Sequence, residues 1–290
     1  MTRAGPLALL SFLLMSLPAL AADQPPVFLS HVYLVLDQPS FDALRSSKAV
    51  AELADVEEAH IESGSRSWSG FYVRGHHTYI ELFGSDKPPS GGHLGDSGIG
   101  LQVEEAGGDA AVAARLRTFF GDTVETNAVP WGTKEGETLP WFTAVSVKGD
   151  DADVLSTWIM EIDPGYLAAR HPGDRIDHPL SREQYLSWKF RPDRPLDDVV
   201  GVTVALKPPE LTRLRTLLQA VGWSIEQAGG GFVATGPDVR VDAKAVNGRA
   251  GILELALRLR QSVAKQMSTL GTTSLELDGK SGRLRFRDAR

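Results

Sequence analysis

The sequence predicts an α+β protein built from repeated βαβββ modules that form curved mixed sheets, with a third module and a closing hairpin after the first two. Three observations predict it. Short segments alternate in the strand period, and each group of them contains one helical stripe. The pattern begins again after a Gly-, Pro- and Ser-rich connection over residues 84–98. Moving the first module by 170 positions lays Leu34 on Val204, Leu36 on Leu206, Phe41 on Leu211 and Leu44 on Leu214, with Pro39 on Pro209 at the turn. Such repetition bears on architecture because one isolated unit cannot bury its apolar face.

The chain opens with Arg3, an apolar run from Leu7 to Leu17, and small residues around Ala21. This is the layout of a secretory signal over residues 1–21, cut after Ala21. The run is well short of the roughly 20 apolar residues that a spanning helix needs. The expected product is therefore periplasmic or secreted, with no membrane segment after cleavage.

The first module, residues 27–84, starts with the strand His31-Val32-Tyr33-Leu34-Val35-Leu36. Ser40 is the predicted cap of a helix whose stripe is Phe41, Leu44, Val50 and Leu53. Strands follow at residues 60–62 and 70–74, and the turn Gly75-His76-His77-Thr78 leads into Tyr79-Ile80-Glu81-Leu82-Phe83. In that last strand Glu81 shares a face with Tyr79 and Phe83, just as His31 shares one with Tyr33 in the first.

The second module, residues 98–163, contains a strand through Ile99, Leu101 and Val103, a helix over 109–120, and strands over 141–147 and 158–163. Residues 121–140 read as irregular. A polar, proline-bearing linker, residues 166–198, packs through Tyr185, Trp188 and Phe190. The third module, residues 199–290, repeats strand and helix, with further strands near 223–226, 231–234 and 239–241. Gly251 to Leu257 repeats the Glu81 strand pattern, and the segments at 275–277 and 284–286, around Gly279-Lys280-Ser281-Gly282, read as the closing hairpin.

The chain has no cysteine, so an exported form relies on its apolar core and not on disulfides. A net charge of -7, with both signs interspersed, argues against nucleic acid as a partner. There is no Gly-x-Ser-x-Gly elbow, no His-Glu-x-x-His helix, no phosphate loop and no dinucleotide fingerprint. A small-molecule ligand is the expected partner, and a homodimer is left open.

The first strand, His31 to Asp37, and the strand Tyr79 to Phe83 resemble those of the vicinal oxygen chelate superfamily, which includes glyoxalase I, the extradiol dioxygenases and the fosfomycin-resistance proteins. More narrowly they resemble glyoxalase-like domain proteins of unknown function. The resemblance implies two modules facing each other around a cup that holds a divalent metal (iron, manganese, nickel or zinc). It places His31 and Glu81 as metal ligands, with Glu161 and Glu254 at the matching positions of later copies. Glu81 and Glu161 would then move protons as catalytic groups. Tyr33, Trp68, Tyr72, Tyr79 and Phe83 would line the substrate pocket.

This sequence departs from the family pattern at Gly98 and Gly201, where a further ligand would stand. Two readings follow: a metal-dependent lyase, isomerase or dioxygenase of unknown substrate, or a metal-free binding or scaffold protein that kept the fold and lost the ligands. His31 could also simply bond a neighbouring carbonyl, and Glu81 could be a solvated residue on the open sheet face paired with Arg74. His76 and His77, adjacent in a tight turn, are expected to point apart, and His60, His93 and His171 read as isolated surface residues.

Overall fold

Alternation in the first module gives β1 (Val27–Leu36), whose Val32 and Leu34 are buried in the main core, while His31 and Tyr33 occupy the opposite face. The computed structural model describes residues 24–89, 91–132 and 138–286; the expected signal segment lies outside them. Two short helices follow, α1 (Gln38–Arg45) and α2 (Lys48–Leu53), where the sequence predicts one. Asp37 caps α1 by accepting from the Ser40 amide at 2.9 Å, and Ser47 caps α2. Ser40, the expected cap, lies inside α1 and is fully buried. The stripe survives the break, because Leu44, Val50 and Leu53 all reach the core.

The strands β2 (Asp55–Ser63), β3 (Arg66–Arg74) and β4 (Tyr79–Gly84) complete the module. β4 returns parallel to β1, setting Tyr79 opposite His31 and Glu81 opposite Tyr33. The second module repeats this order with β5 (Ser97–Val103), α3 (Gly108–Phe120), β6 (Val124–Gly132), β7 (Thr138–Val147) and β8 (Leu155–Ile162). β6 occupies much of the stretch expected to be irregular. β5 lies antiparallel to β1 and joins the two modules into one eight-stranded sheet, ordered β2-β3-β4-β1-β5-β8-β7-β6. The sheet curls until its two edges meet, where Ser63 Oγ donates to the Pro130 carbonyl at 2.6 Å.

Next comes a strap containing α4 (Pro164–Arg170) and α5 (Arg182–Ser187). Its Tyr166, Leu167, Leu180 and Leu186 pack on Tyr79, Trp141 and Met160 of the concave face. Arg182 pins the strap: Nη1 donates to the Leu29 carbonyl at 2.6 Å and to Asp238 at 2.5 Å, and Nε to Glu104 at 3.0 Å.

The third module comprises β9 (Leu196–Leu206), α6 (Pro208–Ala220), β10 (Ser224–Ala228), β11 (Gly231–Thr235) and β12 (Arg240–Ala245). A long hairpin follows, β13 (Gly251–Leu270) and β14 (Thr273–Phe286), giving a six-stranded sheet ordered β10-β11-β12-β9-β13-β14. Two expectations are corrected here. The segment 251–257 is not a fourth strand equivalent to β4, because β13 runs antiparallel to β9, whereas β12 runs parallel to it. Asp242, opposite Thr203, therefore holds the place of Glu81, and Glu254 does not. The chain also does not reverse at residues 279–282. Gly279, with φ of 57°, takes up an irregularity within β14, and the reversal is at Gly271-Thr272.

The helix-side faces of both sheets share one core, with Leu34, Ile80 and Leu101 from one sheet and Val204 and Leu255 from the other. Leu116 of α3 and Leu217 of α6 are in the same core, and Arg115 of α3 donates to the Ala220 carbonyl of α6 at 3.3 Å. This architecture is consistent with a glyoxalase-like fold and leaves the concave face of the larger sheet to the strap.

Candidate functional site

Beneath the strap lies a cavity of about 290 Å³. The strand period sends Tyr72, Tyr79 and Glu81 into it from the first module, and Trp131 and Trp141 reach it from the second. Tyr166, Tyr185 and Trp188 close it from the strap. The rings fix one another: Trp131 meets Trp141 edge-on at 4.8 Å between centroids, and Trp141 Nε1 donates to the Tyr185 hydroxyl at 3.1 Å. Burial raises the pKa of Tyr79, Tyr166 and Tyr185, so these walls stay neutral.

Residues of charged type also line the cavity, among them Glu57, Arg74, Glu81, Arg170 and Lys189. Desolvation pushes the Glu81 carboxyl up to about 8, and Arg74 offsets only part of this. Glu81 thus carries a proton at neutral pH. Arg74 Nη2 pairs with Glu57 at 2.6 Å, and Glu57 also accepts from Lys189 of the strap at 2.7 Å. Arg74 Nη1 is buried with no hydrogen-bond partner in the protein. An unsatisfied buried donor costs on the order of 1–3 kcal/mol, so an acceptor supplied by a ligand would be favoured there.

The expected metal centre does not assemble. His31 is 4% exposed, its ring stacked on Tyr79 at 4.5 Å and its Nδ1 3.2 Å from Ser30 Oγ. Burial lowers its pKa to about 3, which leaves it a neutral packing residue. Glu161 lies on the other face of the sheet, where it accepts from the Gly107 and Asp109 amides at 3.0 and 3.1 Å. It serves as the cap that the start of α3 lacks. Glu254 pairs with Arg285 at 2.6 Å in the other sheet.

Gly98 shows why no ligand stands at its position. A Cβ there would run into the rings of Tyr33 and Trp158, and one on Gly100 would run into the His31 ring. The place where the family pattern puts a metal is filled by this chain's own aromatic residues. Those side chains do not fit the metal the resemblance implies.

Of the expected pocket residues, Tyr72 and Tyr79 line the cavity. Tyr33 and Phe83 pack against each other at 6.1 Å, outside the lining, and Trp68 stands behind it, donating to the Tyr72 hydroxyl at 3.1 Å. Sequence reasoning missed Arg74 as a binding group, along with Trp131, Trp141 and Tyr166. A readable signal was the density of Trp and Tyr between residues 131 and 188.

It also missed the one group of metal-ligand type found among the described residues. His76 and His77 do not point apart: their ring centroids are 4.1 Å apart, and one atom from each lies within 4.8 Å of a Glu183 carboxylate oxygen. The groups that draw them together are distant in sequence. His76 Nε2 is 3.2 Å from Glu183, and His77 Nδ1 is 3.0 Å from Asp198.

Comparison with known proteins shows the fold and a family. The structure is similar to the crystal structure of a hypothetical protein from Staphylococcus aureus, at 11% identity and a TM-score of 0.53, covering 84% of this chain and 96% of that one. It also aligns with a xylose isomerase-like TIM barrel/4-hydroxyphenylpyruvate dioxygenase fusion protein, at 13% identity and a TM-score of 0.44, covering 81% of this chain and 37% of that one. A mutant of 4-hydroxymandelate synthase from Streptomyces coelicolor aligns at 13% identity and a TM-score of 0.40, covering 80% of this chain and 71% of that one. No curated protein matches. The model of a family of unknown function, DUF5829, matches residues 29–286.

Proposed function

Starting from a chain that belongs to DUF5829, a family of unknown function, we propose that it binds a small planar molecule carrying a carboxylate or carbonyl group in the cavity beneath the strap. The carrying observation is the pairing of aromatic walls with Arg74, whose Nη1 lacks a partner. Apolar rings sandwich a planar body, and a guanidinium recognises an oxygen acceptor at its end. Among the described residues, His31, Glu81 and Glu161 do not form a three-residue metal seat in the cavity, and the reading therefore rests on the aromatic walls and Arg74.

Thermal shift with a panel of aromatic carboxylic acids, their amides and matching amines tests the proposal, since a ligand that binds only the folded chain stabilises it by mass action. Acids should raise the melting temperature more than amines, and Arg74→Gln and Trp141→Ala should abolish the rise. A panel with no effect, or an effect indifferent to both substitutions, rejects the reading.

A second reading is favoured by one observation, the raised pKa of Glu81. A carboxyl group that holds its proton near neutral pH can deliver it to a ligand carbonyl and take it back, as acid–base catalysis requires. Turnover would then be lost in Glu81→Gln while ligand binding is kept; loss of both together speaks for a purely binding role. Export is a separate proposal, motivated by the run from Leu7 to Leu17. Mass spectrometry of protein recovered from outside the cytoplasm should find a chain beginning at Ala22, and an intact Met1 there rejects it.

A further inference from the structure

We propose that His76, His77 and Glu183 form a surface site for a divalent transition metal, zinc being the reference ion, and that the bound ion clamps the strap to the wall of the cavity. The site lies outside the cup and uses none of the residues of the cavity reading.

Two imidazoles and one carboxylate with remaining positions open to water suit zinc, nickel or cobalt far better than calcium or magnesium. The two histidines are held before any ion arrives. Gly75 N donates to the Thr78 carbonyl at 2.8 Å and His76 N to the Asp197 carbonyl at 2.6 Å. His77 N and Thr78 N both donate to Asp198 Oδ1, at 2.7 and 2.9 Å. A Cβ on Gly75 would run into the Asp197 carbonyl, so the close approach of the turn to β9 depends on glycine.

Asp198 has a second role. Its Oδ2 holds His77 Nδ1 at 3.0 Å, the carboxylate-to-imidazole contact that commonly orients a metal-ligating histidine. Asp198 is itself well buried, with 5% side-chain exposure, whereas Glu183 is 61% exposed and free to adjust. Ligand atoms around a tetrahedral zinc stand about 3.3 Å apart. The three ligand atoms lie within 4.8 Å of one another, and His76 Nε2 already stands 3.2 Å from Glu183, so small side-chain rotations bring the set to that spacing.

The consequence comes from where the ligands are mounted. His76 and His77 sit between Arg74 and Tyr79, both of which line the cavity. Glu183 belongs to α5, whose Tyr185 and Leu186 form part of the roof. An ion bridging them ties roof to wall and should slow the opening through which a ligand enters.

Titration calorimetry with zinc chloride on the full chain, purified without a polyhistidine tag and stripped with a chelator, tests the site. One zinc per chain is expected, weakened about 10-fold or more by Glu183→Ala and by His76→Ala, since even partners of a ligand are worth that much. No zinc binding, or binding indifferent to both substitutions, overturns the site. Hydrogen exchange tests the clamp. Zinc should slow exchange in residues 182–187 and leave 224–228 unchanged, and an unaltered rate in the strap overturns the clamp. Neither measurement involves the cavity ligand, so failure here and failure of the proposed function remain distinguishable.

Discussion

Glu81 and Asp242 occupy the same place in two copies of one module, each opposite the equivalent residue of its first strand, yet their surroundings differ in kind. Asp242 lies on a sheet face without a roof, paired to Arg240 at 2.8 Å, and Glu254 nearby is paired to Arg285. Glu81 lies under a strap and among rings that strip it of water, and it keeps its proton to about pH 8. The module supplies a carboxylate in both places. What turns one into a candidate binding group is the cover that chain 163–190 lays over the larger sheet.

The most severe way to break this contrast is to loosen the cover. Arg182→Ala would leave Glu104, Asp238 and the Leu29 carbonyl without their common donor, and removing one member of a buried charged network costs about 3 kcal/mol. A calorimetric melt should show that loss, together with loss of ligand binding. An unchanged melt would mean that the strap is held by its apolar contacts alone.

The next effect separates the two carboxylates by pH. Glu81 releases its proton near pH 4.5 in the unfolded chain and only near pH 8 when folded. The folded state therefore binds more protons between those values, and its stability falls as pH rises through the window. Glu81→Gln should raise stability at pH 9 by several kcal/mol, with about 5 kcal/mol as the upper bound, and change it little at pH 4. Denaturant melts at the two pH values measure the difference, and equal effects at both would place Glu81 in water.

A smaller contrast uses the two glycines expected to stand where ligands were lost. Gly98→Ala forces a methyl group into Tyr33 and Trp158 and should cost about 2 kcal/mol. At Gly201 the nearest atom to an added Cβ is that of Ala256, at 3.0 Å, so Gly201→Ala should cost less than about 1 kcal/mol. Similar costs in urea melts would remove the argument that aromatic packing has replaced the metal seat. The smallest effect is expected for Glu254→Gln. An ion pair on an open face is worth less than about 1 kcal/mol, and salt should erase the difference from the parent chain.

Much of the fold was legible because alternation and repetition are local signals. The shift that lays Leu34 on Val204 places β1 on β9 and α1 on α6, and the alternation around His31 and Glu81 assigns both to the concave face. Glu161 was misassigned against a signal of the same kind. In β8 it shares a face with Ile159, whereas Trp158 shares one with Met160 and marks the aromatic side. The cavity and the histidine pair were hidden for a different reason. Tyr185 reaches Trp141 across 44 positions, and Asp198 reaches His77 across 121, contacts that no periodicity encodes.

The hairpin after the third module bears on assembly. β13 runs along the flank of β9 that β5 takes beside β1, so the unpaired third repeat is completed from within its own chain. Its tip is moored to the first module, where Thr272 N donates to Ser40 Oγ at 2.8 Å and Thr272 Oγ1 to Asp37 at 3.0 Å. A domain-swapped dimer at that flank would first have to unmoor and peel away the whole hairpin. The flank that β5 fills in the first sheet is thus filled in the second by the chain's own hairpin, which leaves β14 as the outer strand on that side.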